Sequence, residues 1–357
     1  MAYTDIDDPT AYFQTKIYTG SDNGALTQVV TNDGNSDLQP DWIWIKRRNS
    51  TANHSITDTV RGLTIGLSTS TTAAEVDDDF GVTAVGSDGF SVRENTSAQG
   101  EVNTGTLVAW QWKAGTSFTN DASGTGIGSI DSSGSVNTNA GFSIVSFTGT
   151  GSNGTIKHGL NSALSIIIVK GRDFVDNWMM FHSSLGGGKK LKFNLTGAEI
   201  TSSEAWNNTS PTSSVFSVGI DGEGNNNGSA MIAYCFAEKK GYSKFSSYVG
   251  NGNVNGTFIY TGFKPAFCMV HRSSAAGENW LILDNKRDSF NPQDSSIYPN
   301  LNNAEDADGA DYFDFVSNGM KVRTTNGGTN TSGATYIYMA FAENPFVTST
   351  GVPATAR

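Results

Sequence analysis

The residues of this 357-residue chain whose types could do chemistry are few and scattered. A glycosidase needs two carboxylates facing each other across a groove. Acidic residues gather at Asp77-Asp78-Asp79, at Asp284 with Asp288, and along the run from Glu305 to Asp311. None forms the closely alternating acidic strand that a jelly-roll glucanase carries, so no catalytic residue is expected and the chain reads as a non-enzyme. In the last run, Asp306, Asp308 and Asp311 could hold calcium through their carboxylates, the one cofactor in view. Their spacing departs from that of an EF-hand, and a solvated acidic loop is the plainer reading. His54, His158, His182 and His271 do not pair at metal-ligand spacing. Cys235 and Cys268 lie inside apolar runs and read as buried thiols. Trp206 stands in the polar stretch Ser-Glu-Ala-Trp-Asn-Asn-Thr, where an exposed ring could stack on a sugar or on a neighbouring subunit.

These residues must be held by strands. The runs Trp42-Ile-Trp-Ile-Lys46, Ile166-Ile-Ile-Val-Lys170 and Cys268-Met-Val-His-Arg272 align with one another. Each is followed at the same spacing by His54, Trp178 or Trp280, and then by Asp58, His182 or Asp284. Further matches are Phe90-Ser-Val92, Phe216-Ser-Val218 and Met320-Lys-Val322, then Val108 to Trp112, Ile232 to Phe236 and Tyr338 to Phe341. Ile17-Tyr-Thr-Gly20, Ser146-Phe-Thr-Gly149 and Ile259-Tyr-Thr-Gly262 would open the units. Self-similarity of this kind marks a repeat architecture. Insertions fall in Gly-, Asn- and Ser-rich stretches that suit surface loops. The expected fold is all-β, three tandem two-layer sandwiches over residues 1–115, 116–245 and 246–357, the last with a C-terminal tail. Short β-branched and aromatic runs separated by turn residues support strands. Wholly apolar runs such as Ile166 to Val169 need cover on both faces, and a two-layer sandwich would supply it.

Trp42, Trp44, Trp110, Trp112, Trp178, Phe236, Trp280 and Phe341 occupy equivalent strand positions and are the expected core. Asp58 and Arg61 recur as Asp284 and Arg287, whereas the middle unit has His182 and Leu185. The pair reads as a surface salt bridge of little energetic weight.

Composition narrows the function. A net charge of −11 forgoes the counterion release that drives nucleic-acid binding. No apolar run is long enough to span a bilayer, and the first residues lack the pattern of a signal peptide. Synthesis in a cytoplasm, without membrane insertion, is expected.

The stretches Pro40 to Lys46, Val108 to Gly115, Tyr260 to Pro265, Ile232 to Glu238, Gly241 to Phe245 and Tyr338 to Phe346 resemble a repeated domain of unknown function found in structural proteins of tailed, particularly marine, bacteriophages. The resemblance implies three tandem jelly-roll units, concanavalin-A- or laminin-G-like and so lectin-like, in a virion protein made in the host cytoplasm. A tail-fibre or tail-appendage protein is the first expectation, with a role in attachment or glycan binding. A capsid decoration or head-fibre protein is the alternative, and a polysaccharide depolymerase a remote one. Implied partners are other virion proteins, further copies of the chain (a trimer first) and host-surface polysaccharide.

Overall fold

A computed structural model describes residues 3–21, 27–77, 81–93, 100–307, 310 and 312–355. The described residues form antiparallel sheets with only single-turn helices between them. Twelve strands organise the molecule. The first segment holds β1 (Phe13–Thr19), β2 (Trp42–Arg47), β3 (Ser55–Asp58) and β4 (Thr106–Trp112). The second holds β5 (Phe142–Thr148), β6 (Ile166–Gly171), β7 (Met179–His182) and β8 (Ala230–Phe236). The third holds β9 (Ser243–Val249), β10 (Phe263–Arg272), β11 (Leu281–Asp284) and β12 (Thr335–Pro345). One neighbour order recurs: β1-β4-β2-β3, β5-β8-β6-β7 and β9-β12-β10-β11. A hairpin of Thr116–Asn120 and Ser132–Asn137 extends the middle sheet at β5.

Each sheet is buried on both faces, which is why its central strands are apolar without alternation. One face meets a small sheet of the same segment. In the first segment Ile43, Ile45, Leu107 and Ala109 pack against Val30, Phe90 and Val92. The opposite face meets the other two segments. Trp42, Trp44, Trp110, Trp112, Trp178, Phe236, Trp280 and Phe341 all belong to one core that draws residues from all three segments. At its centre stand the equivalent residues Trp112, Phe236 and Phe341. Their ring centroids lie 6.4, 5.7 and 6.0 Å apart in the three pairings. The cover for the apolar runs therefore comes from a small sheet on one side and from neighbouring segments on the other.

The paired strands also correct the expected alignments. Trp42, Ile166 and Phe267 face Trp112, Phe236 and Phe341 in equivalent registers, so His271, and not Arg272, stands where Lys46 and Lys170 stand. All three of these polar residues are buried. In the third segment the opening strand is β9 rather than the run through Tyr260, and Gly250 takes the place of Gly20 and Gly149. A Cβ on these glycines would lie 2.2, 2.2 and 2.4 Å from backbone atoms of the loop before the segment's last strand. Only glycine permits that approach. The expected division after residue 245 falls within β9, which pairs with β12 along its length.

Candidate functional site

The charged residues singled out in the sequence converge on the junctions between segments. Asp58 and Arg61 are fully buried, as are Asp284 and Arg287, so neither is a surface pair. Arg61 Nε donates to Asp58 Oδ2 over 2.6 Å, and Arg287 Nε makes the same bond to Asp284. Each aspartate then receives a donor from the last strand of another segment. Tyr234 Oη donates to Asp58 Oδ2 over 2.8 Å, and Trp110 Nε1 donates to Asp284 Oδ2 over 3.0 Å.

Each arginine leads on to a glutamate that bridges to the next segment. Glu75 meets Arg61 and takes a two-pronged bond from Arg172, both prongs 2.9 Å. Glu305 meets Arg287 and takes two bonds from Arg48, at 2.8 and 2.6 Å. Burial alone would raise the Glu305 pKa, but Arg48 and Arg287 outweigh it and hold the carboxyl below its ordinary value. Burial likewise opposes charge on Arg61, and Asp58 overcomes it, so the guanidinium stays protonated more firmly than usual.

The junction between the second and third segments keeps the backbone and changes the chemistry. Glu199 N donates to Ser273 O over 2.9 Å, as Glu75 N does to Arg172 O and Glu305 N to Arg48 O, both over 2.8 Å. Here His182, Leu185, Ser273 and Met339 stand where the others have Asp, Arg, Arg and an aromatic donor. His182 Nε2 instead meets the Tyr338 carbonyl at 3.3 Å. An aspartate would be stranded opposite Met339, whose side chain has no N–H or O–H to give.

Two more histidines tie segments together. His54 Nε2 lies 3.1 Å from Tyr298 O, and His271 Nε2 lies 3.0 Å from Gly197 O. Burial pushes all three down: His54 to about 3, with Lys46 adding to the effect, and His182 and His271 to about 4. They are therefore neutral at pH 7. His158 bonds within the second segment, to Thr212 O at 3.3 Å.

Trp206 is not an exposed loop aromatic. It is 1% exposed and sits in the second segment's own core, edge-on to Phe181 at 5.7 Å. The polar residues around it form the outside of a loop that the indole anchors, and their polarity misleads about the ring. Glu305 belongs to the junction, not to a solvated acidic loop. Asp306 is exposed and bridges through its backbone to Ser296. Asp308 and Asp311, like Asp78 and Asp79, lie outside the described residues, and among the described residues no three His, Cys, Asp or Glu gather to hold a metal.

Three buried asparagines did not stand out in the sequence. Asn103, Asn225 and Asn330 each accept, through Oδ1, the backbone N–H of Ser21, Thr150 or Asn251 just beyond the segment's opening strand, at 3.0, 2.8 and 2.8 Å. Their signal is an Asn in the turn-rich stretch before each last strand, in the second segment one of the three consecutive residues Asn225, Asn226 and Asn227, which is hard to tell from ordinary turn chemistry.

Where the first and third segments meet, a cleft of about 510 Å³ opens between β1, residues 33–35, the stretch 285–289 and the end of β12. Its apolar lining comes from Phe13, Ala266 and Ala342, and amide side chains border it. Thr15 lines it too, 4% exposed, with Oγ1 unpartnered. The equivalent strand positions carry Ile144 and Phe245, both packed into the shared core.

A family model for a domain of unknown function, DUF7483, matches residues 8–345. The match is continuous across all three segments, as the shared core is. No curated protein and no solved structure matches the chain.

Proposed function

The chain belongs to the DUF7483 family, and we propose that it is a structural protein on the exterior of a bacteriophage virion, a tail-fibre or tail-appendage protein that serves attachment. The observation that carries this reading is the use made of the buried polar residues. Asp58, Asp284, Glu75, Glu305, His54, His182 and His271 all hold one segment to another. A chain that commits its titratable groups to closing a rigid block suits a load-bearing or display role better than turnover. The strand order common to the three segments supports reading them as tandem jelly-roll copies related to concanavalin A-like sandwiches. No helix among the described residues is long and apolar enough to cross a membrane.

The proposed partners are other virion proteins, host-surface polysaccharide and further copies of the chain. Three segments already complete one core, so a trimer would add exterior contacts without finishing the interior. A capsid decoration or head-fibre role is the second reading, favoured by a compact body with no shaft-forming helix among the described residues. Particle reconstruction with antibody labelling tests the proposal. Density for this chain on the tail supports attachment, and density over capsomers moves it to decoration. Absence from purified particles would overturn both. Release of reducing sugar from polysaccharide by the purified chain would establish a depolymerase in their place.

A further inference from the structure

We propose that the cleft between the first and third segments binds a neutral saccharide. This deepens the attachment reading and rests on it for where the ligand comes from, while the chemistry of the cleft stands on its own.

The first argument is the break in the pattern at Thr15. Ile144 and Phe245 fill the shared core at the equivalent positions. A threonine there leaves volume unfilled and a buried hydroxyl without a partner. A buried hydroxyl that forgoes its water is destabilising unless something bonds to it. Valine has the same shape and would avoid that cost. A ligand hydroxyl reaching the floor of the cleft would satisfy Oγ1.

Charge decides the ligand class. Asp33 pairs with Lys16 and Lys286, at 3.2 and 2.9 Å, and Glu343 pairs with Lys264 at 3.4 Å. The cleft thus balances its charges internally, which disfavours phosphate-bearing and strongly anionic ligands. What remains is an apolar floor with amide and hydroxyl walls, from Gln14, Asn285 and Asn344 among others. That combination matches a sugar, whose C–H face is apolar and whose edge carries hydroxyls. The volume falls within the ~300–1,000 Å³ usual for small-molecule sites.

A third observation lies one residue beyond the lining. Phe290 follows the lining residue Ser289 and is 79% exposed. Its loop is pinned, because Asn291 exchanges two 2.9 Å bonds with the backbone of Phe315. A large ring held in solvent beside a polar cleft suits stacking on a second sugar unit.

The test is calorimetric titration of the full chain with short oligomers of glucose, mannose, galactose and N-acetylglucosamine at millimolar concentration. At least one series should bind. Thr15→Ile, which fills the cleft as Ile144 fills its own site, and Phe290→Ala should each weaken binding at least tenfold. Thr15→Val removes only the hydroxyl and should weaken it less than Thr15→Ile. Phe290→Ala alters an exposed side chain and leaves folding intact, so it remains informative if a core variant unfolds. No binding in any series, binding unchanged in both Thr15→Ile and Phe290→Ala, or a preference for inorganic phosphate would overturn the proposal. Particle labelling bears on the virion reading separately, so either idea can fail alone.

Discussion

Tyr234, from the second segment's last strand, gives its hydroxyl to Asp58 of the first segment over 2.8 Å, and both side chains are shut away from water. Trp110 makes the same gesture toward Asp284 with an indole N–H. The shared feature is the place and the role, not the donor type. Breaking such a chain at one point should cost more than removing it whole, because a lone buried charge has nothing to offset its desolvation.

Asp58→Ala should therefore destabilise by about 3–5 kcal/mol, since it leaves the buried Arg61, for an ion pair, only its 3.5 Å contact with Glu75. Tyr234→Phe should cost about 1.5–3 kcal/mol, the range for a hydrogen bond to a charged group. Transplanting the second–third junction, with Asp58→His, Arg61→Leu and Tyr234→Met together, should cost less than Asp58→Ala alone. Urea titration of the four proteins checks the order. A triple variant weaker than Asp58→Ala would contradict the account.

The shared core predicts cooperativity. A mutation such as Phe341→Ala, in the third segment, should lower the unfolding temperature of the whole molecule by removing one corner of the aromatic triangle, at about 3–5 kcal/mol. Scanning calorimetry should show one transition whose calorimetric and van't Hoff enthalpies agree. Three separate peaks, with only one moved by the mutation, would mean the segments fold independently.

Acid should loosen the junctions. His54, His182 and His271 have folded pKa values of about 3 to 4, below the ordinary 6.5, so the folded state binds fewer protons than the unfolded chain as pH falls. Their contribution is whole above about pH 6.5 and declines progressively toward about pH 4. Glu305, also held low, acts in the same sense at the acid end. Denaturation midpoints between pH 8 and pH 4.5 should fall on the acid side. His182→Gln should flatten the slope, and an unchanged slope would remove His182 from the explanation.

Trp206→Ala should behave as a core truncation, losing about 3–5 kcal/mol, where an exposed ring would lose less than about 0.5 kcal/mol. Chemical denaturation distinguishes the two directly.

Cys235 and Cys268 are buried, and burial raises both thiol pKa values well above the ordinary range. A thiol-specific chromogenic reagent should titrate neither at pH 8 until denaturant is added. Rapid labelling in the native state would refute their burial.

Strands were the most readable part of the chain, because Trp42-Ile-Trp-Ile and its counterparts show β-branched and aromatic runs directly. Position within the runs was less secure. A basic residue at the end of each run suggests aligning Arg272 with Lys46 and Lys170, but pairing places the buried His271 there. The polar sites were harder still. Asp58 and Arg61 look like any exposed i,i+3 pair until another segment covers them, and Trp206 looks exposed because sequence neighbours say little about which way a ring turns. The cleft left one trace, a threonine among hydrophobic equivalents, and that trace has meaning only once the strands are placed side by side.

The interlock between segments also has a consequence for synthesis. The inward faces of the first two sheets, with Trp42, Trp112 and Phe236 upon them, wait for Phe267 and Phe341 to arrive from the ribosome. Until β12 emerges, a wide greasy surface faces water, the kind of exposure that invites aggregation. A truncated product would keep its strands and lack its keystone, so quality control has a plain mark by which to tell finished chains from unfinished ones.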